Sequence, residues 1–262
     1  MRRGKLRTAL MRNSINNLWQ GLPAKIASLP AAYVAGIFLI IIFEYILTSL
    51  FLILHLKLFF LALAFGFNQY TTDFILTTIK SILIINTQIA LTLVGLKLYK
   101  LEAGEIGLKI PSAPWKILAG ILLAVFAEIF FNFSGFYFLK GHLPPMVRIE
   151  PSILWLNLHN PVAYHLLFTI PFVLPIFEEL FFRGFVQTAF KKRFGNIVSI
   201  LVTAMIFTLW HYKNPHSNFN ITIFFIAIIL GSLKEWDGSI WSSAAAHCAY
   251  NFLTSALIIK FS

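Results

Sequence analysis

Residues 168–190 read FTIPFVLPIFEELFFRGFVQTAF. The run is almost wholly apolar and long enough to cross a bilayer, for which a helix needs roughly 20 residues. Within it Glu178 and Glu179 stand side by side, and Arg183 follows one helical turn beyond the second. An ionised side chain at bilayer depth costs on the order of 3 kcal/mol on insertion scales, so three in one apolar run mark a candidate functional site. Glu179 and Arg183 are i and i+4, on one helix face and able to pair. Neighbouring helical residues point about 100° apart, so Glu178 is the freer carboxylate and the better candidate base. A Glu–Arg pair that only locks two helices would explain Glu179 and Arg183, but it fits a second, unpaired glutamate badly.

The whole chain supports a membrane setting. Of its 262 residues 58% are hydrophobic and 12% charged, with mean hydropathy +0.80, too apolar for a water-soluble domain of this length. The excess of 21 Lys and Arg over 10 Asp and Glu is not a nucleic-acid surface, because the basic residues fall in short clusters between apolar blocks, as cytoplasmic loops do. The expected surroundings are therefore a lipid bilayer and no nucleic acid. The single cysteine, Cys248, excludes an intramolecular disulfide framework and a multi-cysteine metal site.

The fold class expected is all-α, a polytopic helical bundle of about seven to eight spans around a central polar cavity. The spans are placed at Ala31–Leu54, Phe74–Leu96, Trp115–Leu139, Ala163–Phe190, Asn196–Trp210, Asn220–Leu233 and Ile240–Ile259, with an additional half-span at Leu58–Phe67. Residues 1–28, with Arg2, Arg3, Lys5, Arg7, Arg12 and Lys25, form a basic N-terminal segment, read as retained, cytoplasmic and interfacial with Trp19 as anchor. Residues 29–262 form the integral membrane domain. Lys97, Lys100, Lys109 and Lys116, and then Lys191, Lys192 and Arg193, occupy the connections that an N-inside, multi-pass protein of the plasma membrane keeps cytoplasmic. Prolines gather in the connections, at 111, 114, 144, 145, 151 and 161, but Pro171 and Pro175 lie inside the fourth span. There they free backbone carbonyls just before Glu178, which predicts a kinked helix beside a wet cavity.

Two further polar groups sit at span level. Phe207-Thr208-Leu209-Trp210-His211 closes the fifth span, and His247-Cys248-Ala249-Tyr250-Asn251 lies in the last, with His247 and Asn251 at i and i+4. Alone, the first reads as an interface histidine and the second equally well as interhelical hydrogen-bond glue. Depth draws them together. At 1.5 Å per residue Glu178 lies roughly 18 Å from the inner end of its span, His211 roughly 22 Å, Asn251 roughly 17 Å and His247 about 12 Å. Three helices thus bring polar groups to a comparable level. A carboxylate and an imidazole there can share a water's proton, while a second imidazole and an amide offer donors to a developing oxyanion.

Glu-Glu-x-x-x-Arg, then Phe-x-x-x-His, then His-x-x-x-Asn, in this order on successive membrane segments, resembles the CAAX prenyl proteases and bacteriocin-processing or immunity proteins, the CPBP or Abi intramembrane proteases. The motifs run from Phe177 to Asn251, within a family core at about 163–259. The resemblance implies a helical fold with a conical cavity open to the cytoplasmic side, and an intramembrane endopeptidase acting on a membrane-associated peptide or protein. It implies that Glu178, assisted by His211, activates water, that His247 and Asn251 bind the oxyanion, and that Glu179 orients the site through Arg183.

Glu178, His211 and His247 also match, as residue types, a three-ligand catalytic zinc. The chain has no His-Glu-x-x-His helix, and Asn251 is a poor zinc ligand but a good amide donor, so a metal-free mechanism without cofactor is preferred. Asp73 and Asp237 fall in expected loops, which removes an aspartyl dyad. A non-catalytic immunity or scaffold protein using the same pocket is the alternative. A proton-coupled transporter using Glu44, Glu128 and Glu178 lacks the inverted repeats that fold requires. Glu44 and Glu128 fall mid-span and are expected to make helix–helix contacts as protonated carboxyls, the other readings being that they line the same cavity or support Arg183.

Overall fold

The computed structural model describes residues 31–111, 113–138, 171–211 and 221–261, and every regular element among them is helical. The N-terminal segment with Trp19, the first part of the fourth span and Pro144, Pro145, Pro151 and Pro161 lie outside the described residues. The chain divides into two compact units after Leu39. Of the first unit only the opening turns of a helix, from Ala31, are described; the second holds all the other helices and every candidate site residue.

In chain order the elements are α1 (Ala31–Ala64), α2 (Gln69–Tyr99), α3 (Pro114–Phe138), α4 (Leu174–Glu179), a π-helical segment (Leu180–Gln187), α5 (Thr188–His211), α6 (Ile221–Asp237) and α7 (Ile240–Phe261). Each helix coincides with an apolar block of the sequence. Among the described residues three stretches are long and apolar enough to cross a membrane, Tyr33–Ala64, Thr71–Tyr99 and Pro171–His211, which makes this an integral membrane protein.

Two expectations need correction. The first span does not stop at Leu54 to be followed by a separate half-span at Leu58–Phe67. With no glycine or proline between Gly36 and Gly66, nothing interrupts the hydrogen-bond ladder, and α1 runs on to Ala64. Nor do the two aspartates lie in loops. Asp73 sits in the second turn of α2, 3.3 Å from His55 on α1, and Asp237 ends α6, where it accepts from Ser242 Oγ at 2.6 Å and faces Lys116 Nζ at 3.6 Å. They belong to different helices and have different partners, so the aspartyl dyad remains unavailable.

The stretch from Pro171 to His211 is not one straight helix. Gly195 adopts φ 77° and ψ 179°, a region essentially reserved for glycine, and the chain reverses there. Arg183 and Phe207 would stand about 36 Å apart along a continuous helix, yet the Arg183 guanidinium lies 4.3 Å over the Phe207 ring. Phe182 likewise meets Phe207 at 5.1 Å and Trp210 at 6.1 Å. The expected boundary between the fourth and fifth spans, from Phe190 to Asn196, falls on this turn.

Small residues set the packing of α3 against α7. Gly120, Ala124 and Glu128 recur every fourth residue along α3. They face Ser242 and Ala246 near one end of the seam and Thr254 towards the other, where Thr254 Oγ1 donates to Glu128 at 3.1 Å. Such seams let helices approach closely in lipid, where dispersion and interhelical hydrogen bonds replace the hydrophobic drive. Ala124, Ala127, Ile226, Leu230, Leu233 and Ala246 form the core between α3, α6 and α7. Leu98, Phe126 and Ile197 are among many large apolar side chains left exposed, the surface a bilayer covers.

The basic connections meet at one end of the second unit. Lys192 pairs with Glu105 at 2.9 Å and reaches the Lys100 carbonyl at 3.3 Å. Ser239 donates to the Lys109 carbonyl at 2.8 Å, the Ile240 amide donates to the Gly107 carbonyl at 2.9 Å, and Lys116 reaches Asp237. Between these contacts Leu101 and Ile106 of the 101–111 connection are buried, so this loop packs against the helices.

Candidate active site

The local sequence explains why the acidic pair sits on an irregular helix. Pro175 lies in the first turn of α4, where its missing N–H is harmless, and the following segment winds as a π-helix through Arg183 to Gln187. π turns are rare and concentrate at functional sites. Glu179, Arg183 and Gln187 are all fully buried here.

Arg183 Nη1 donates to Glu179 Oε1 at 2.7 Å, with neither side chain exposed. Arg183 Nη2 donates to the Ala227 carbonyl of α6 at 3.4 Å. The guanidinium face is covered by Phe207, a cation–π contact worth about 2 kcal/mol when desolvated. The charge at bilayer depth is thus neutralised, hydrogen-bonded and stacked, which the insertion cost demands.

His247 joins this pair from α7. Its Nδ1 lies 2.9 Å from Glu179 Oε1, so that nitrogen carries the proton, since a carboxylate only accepts. The other ring nitrogen, Nε2, stands 3.9 Å from Glu178 Oε2. Glu178 is the more accessible carboxylate, its side chain 16% exposed against none for Glu179. The two glutamates are therefore separated as their 100° offset requires: Glu179 holds Arg183 and His247 together, and Glu178 stands at the edge of the cluster.

His211 reaches the cluster through Phe207. Its Nδ1 meets the Phe207 carbonyl at 2.8 Å, its ring lies 4.3 Å from the Phe207 ring, and that same ring meets His247 edge-on at 5.7 Å. Asn251 is half-buried one turn beyond His247 and makes no hydrogen bond to the cluster. The structure thus brings Glu178, Glu179, Arg183 and His247 into one group, sets His211 beside it across Phe207, and leaves Asn251 at the next turn.

Among the described residues no three His, Cys, Asp or Glu side chains are gathered as metal ligands. His247 sets Nδ1 on Glu179, and His211 sets Nδ1 on a backbone carbonyl, contacts that orient an imidazole for work at Nε2 and that a metal-binding histidine makes as well.

Beside the cluster lies an open apolar groove of about 490 Å³, bordered by Ile110, Ile117, Ile176, Trp241, Ala244 and Cys248. Ile176 precedes Glu178 by two residues in the chain, and Ala244 and Cys248 neighbour His247 on α7, but neither glutamate nor His247 lines the groove.

Glu44 and Glu128 do not support Arg183. Glu44 accepts from Thr48 at 3.2 Å and from Gln88 of α2 at 3.4 Å, while Glu128 accepts from Thr254 of α7. Both make helix–helix contacts, the first of the readings open to them. Sequence reasoning passed over Gln187, although its spacing was a signal: Glu179, Arg183 and Gln187 recur every fourth residue within an apolar run.

No curated protein and no solved structure matches the chain. Residues 160–253, the stretch that holds every candidate site residue, match the model of the Rce1-like family, the type II CAAX prenyl endopeptidases, and over this stretch the chain is similar to them.

Proposed function

We propose that this protein is a multi-pass intramembrane endopeptidase that hydrolyses a peptide bond in a membrane-associated peptide or protein, with Glu178 as the base. The observation that carries the reading is His247 bonded to Glu179 on one ring nitrogen and facing Glu178 at 3.9 Å with the other. One water placed between Glu178 Oε2 and His247 Nε2 would lie about 2.8 Å from each. Glu178, assisted by His211 from across Phe207, takes a proton from that water as the oxygen attacks the peptide carbonyl carbon. His247, carrying a proton on Nε2 as well as on Nδ1, and the Asn251 amide donate to the oxyanion that forms. Collapse of the intermediate breaks the C–N bond, and the proton held by Glu178 passes to the leaving amine, giving a carboxylate and a free amine. Arg183 and Glu179 hold the imidazole in place throughout.

The mechanism is metal-free, with a lipid bilayer as its setting and cytoplasmic access through the end where the basic connections meet. In this reading the N-terminal segment is cytoplasmic and the spans number about seven. The test is membrane proteomics comparing wild type with Glu178→Gln, scoring protein termini. Termini present with wild type and missing with Glu178→Gln are expected. Identical termini, with biological activity retained, would replace this reading with the non-catalytic scaffold.

A further inference from the structure

Glu179, Arg183, Gln187 and Lys191 form a stripe at every fourth residue, and α6 presents Ala227, Gly231 and Glu235 at the same interval. The two stripes are joined rung by rung. Arg183 donates to the Ala227 carbonyl at 3.4 Å. Gln187 Nε2 donates to the Gly231 carbonyl at 3.0 Å and to Glu235 Oε1 at 3.0 Å, and Lys191 pairs with Glu235. We infer that Gln187, seated on Gly231 and Glu235, is a positioning residue that fixes the π-helical segment so that Glu179 meets His247. This rests on the peptidase reading only for its effect on turnover; the placement of His247 is tested independently.

The physical case begins with the helix itself. A π segment has wider i→i+5 turns and persists only where something outside it compensates. Slippage by one residue turns everything before it by about 100°, enough to swing Glu178 and Glu179 away from α7. Gln187 ends the segment, is fully buried and spans the gap to α6. Gly231 is what allows the approach: a Cβ there would sit 2.8 Å from Gln187 Oε1 and 3.3 Å from Ile200 Cγ2. A second tie lies alongside. Thr188 Oγ1 donates to the Arg183 carbonyl at 3.4 Å and accepts from the buried Lys234 Nζ at 3.0 Å. The ladder thus runs from an ion pair at the basic end of the bundle to the buried Arg183–Glu179 pair.

The experiment uses the full-length protein in lipid nanodiscs, labelled with ¹⁵N-histidine, with the His247 resonance assigned by its loss in His247→Gln. Gln187→Leu, which keeps the bulk and removes the amide, and Gly231→Ala, which pushes the amide away, are each expected to shift that resonance. Gly231→Ala in the Gln187→Ala background is expected to add little to the His247 shift, because the side chain it displaces is gone and only the 3.3 Å approach to Ile200 Cγ2 remains. In membranes, the rate at which Glu178-dependent termini appear is expected to fall roughly 10- to 100-fold in both single variants. If Gln187→Leu does not accumulate, Gly231→Ala alone carries the test. An unchanged His247 resonance in the single variants overturns the inference, whatever happens to turnover. Termini unaffected by Glu178→Gln overturn the peptidase reading and leave the resonance as the judge of the strut.

Discussion

Nδ1 of His247 lies 2.9 Å from Oε1 of Glu179, and this contact gives two adjacent glutamates different work. The oxygen that receives Arg183 also receives His247, so Glu179 is committed inside the fold and Glu178 is left facing Nε2.

Substitution should separate the two. Glu178→Gln is expected to abolish turnover while leaving expression and thermal stability close to wild type. Glu179→Gln is expected to lose stability and turnover together, since it leaves a buried arginine without its counter-charge. Melting curves in detergent beside terminus counts in membranes check both. Equal effects at the two positions would contradict the division of roles.

Arg183→Ala removes one partner of an ion pair that is fully buried on both sides. Breaking such a pair typically costs about 3–5 kcal/mol, because the remaining charge stays desolvated. Equilibrium unfolding in mixed detergent should register a loss of that order, and a loss under about 1 kcal/mol would mean that water reaches the site.

Gly195→Ala places a Cβ at φ 77°, ψ 179°, where strain of order 1–3 kcal/mol is expected. No neighbouring atom lies close enough to clash, so the cost should be conformational alone. The variant should melt earlier yet retain Glu178-dependent cleavage once folded.

Glu105 accepts from the Glu102 amide at 2.8 Å and pairs with Lys192. Those contacts, the amide foremost and the ammonium next, hold its carboxyl below the usual 4.5. A carboxyl lowered in the folded state lends its stability fully above the unfolded value and loses it as the pH falls through the folded value. The protection factors of residues 101–107, the intrinsic pH-dependent exchange rate divided by the observed one, should therefore be constant from pH 7 to about 5 and fall below about 4. The effect should be small, because the pair is solvent-exposed, and Lys192→Met should shrink it.

Strong chelation during purification is expected to leave Glu178-dependent cleavage intact, with metal content measured on the same sample. Loss of activity on chelation and recovery with zinc alone would overturn the metal-free mechanism.

The sequence by itself determined that the chain is helical and membrane-embedded, because apolar blocks of bilayer length leave the backbone no other way to satisfy its hydrogen bonds. It also marked where most helices begin and end, and it paired Glu179 with Arg183, since i, i+4 neighbours are set by helix geometry alone. The continuity of α1 past Leu54 escaped it, because no local signal separates one long helix from a helix and a half-span. Which imidazole approaches the glutamates was decided only by the tertiary structure: the turn at Gly195 and the small-residue seam between α3 and α7 bring His247 to Glu179 and set His211 behind Phe207. The partners of Gln187 were settled in the same way. Contacts between residues 44 positions apart depend on how helices stack, and one-dimensional spacing shows a polar stripe without showing what it faces.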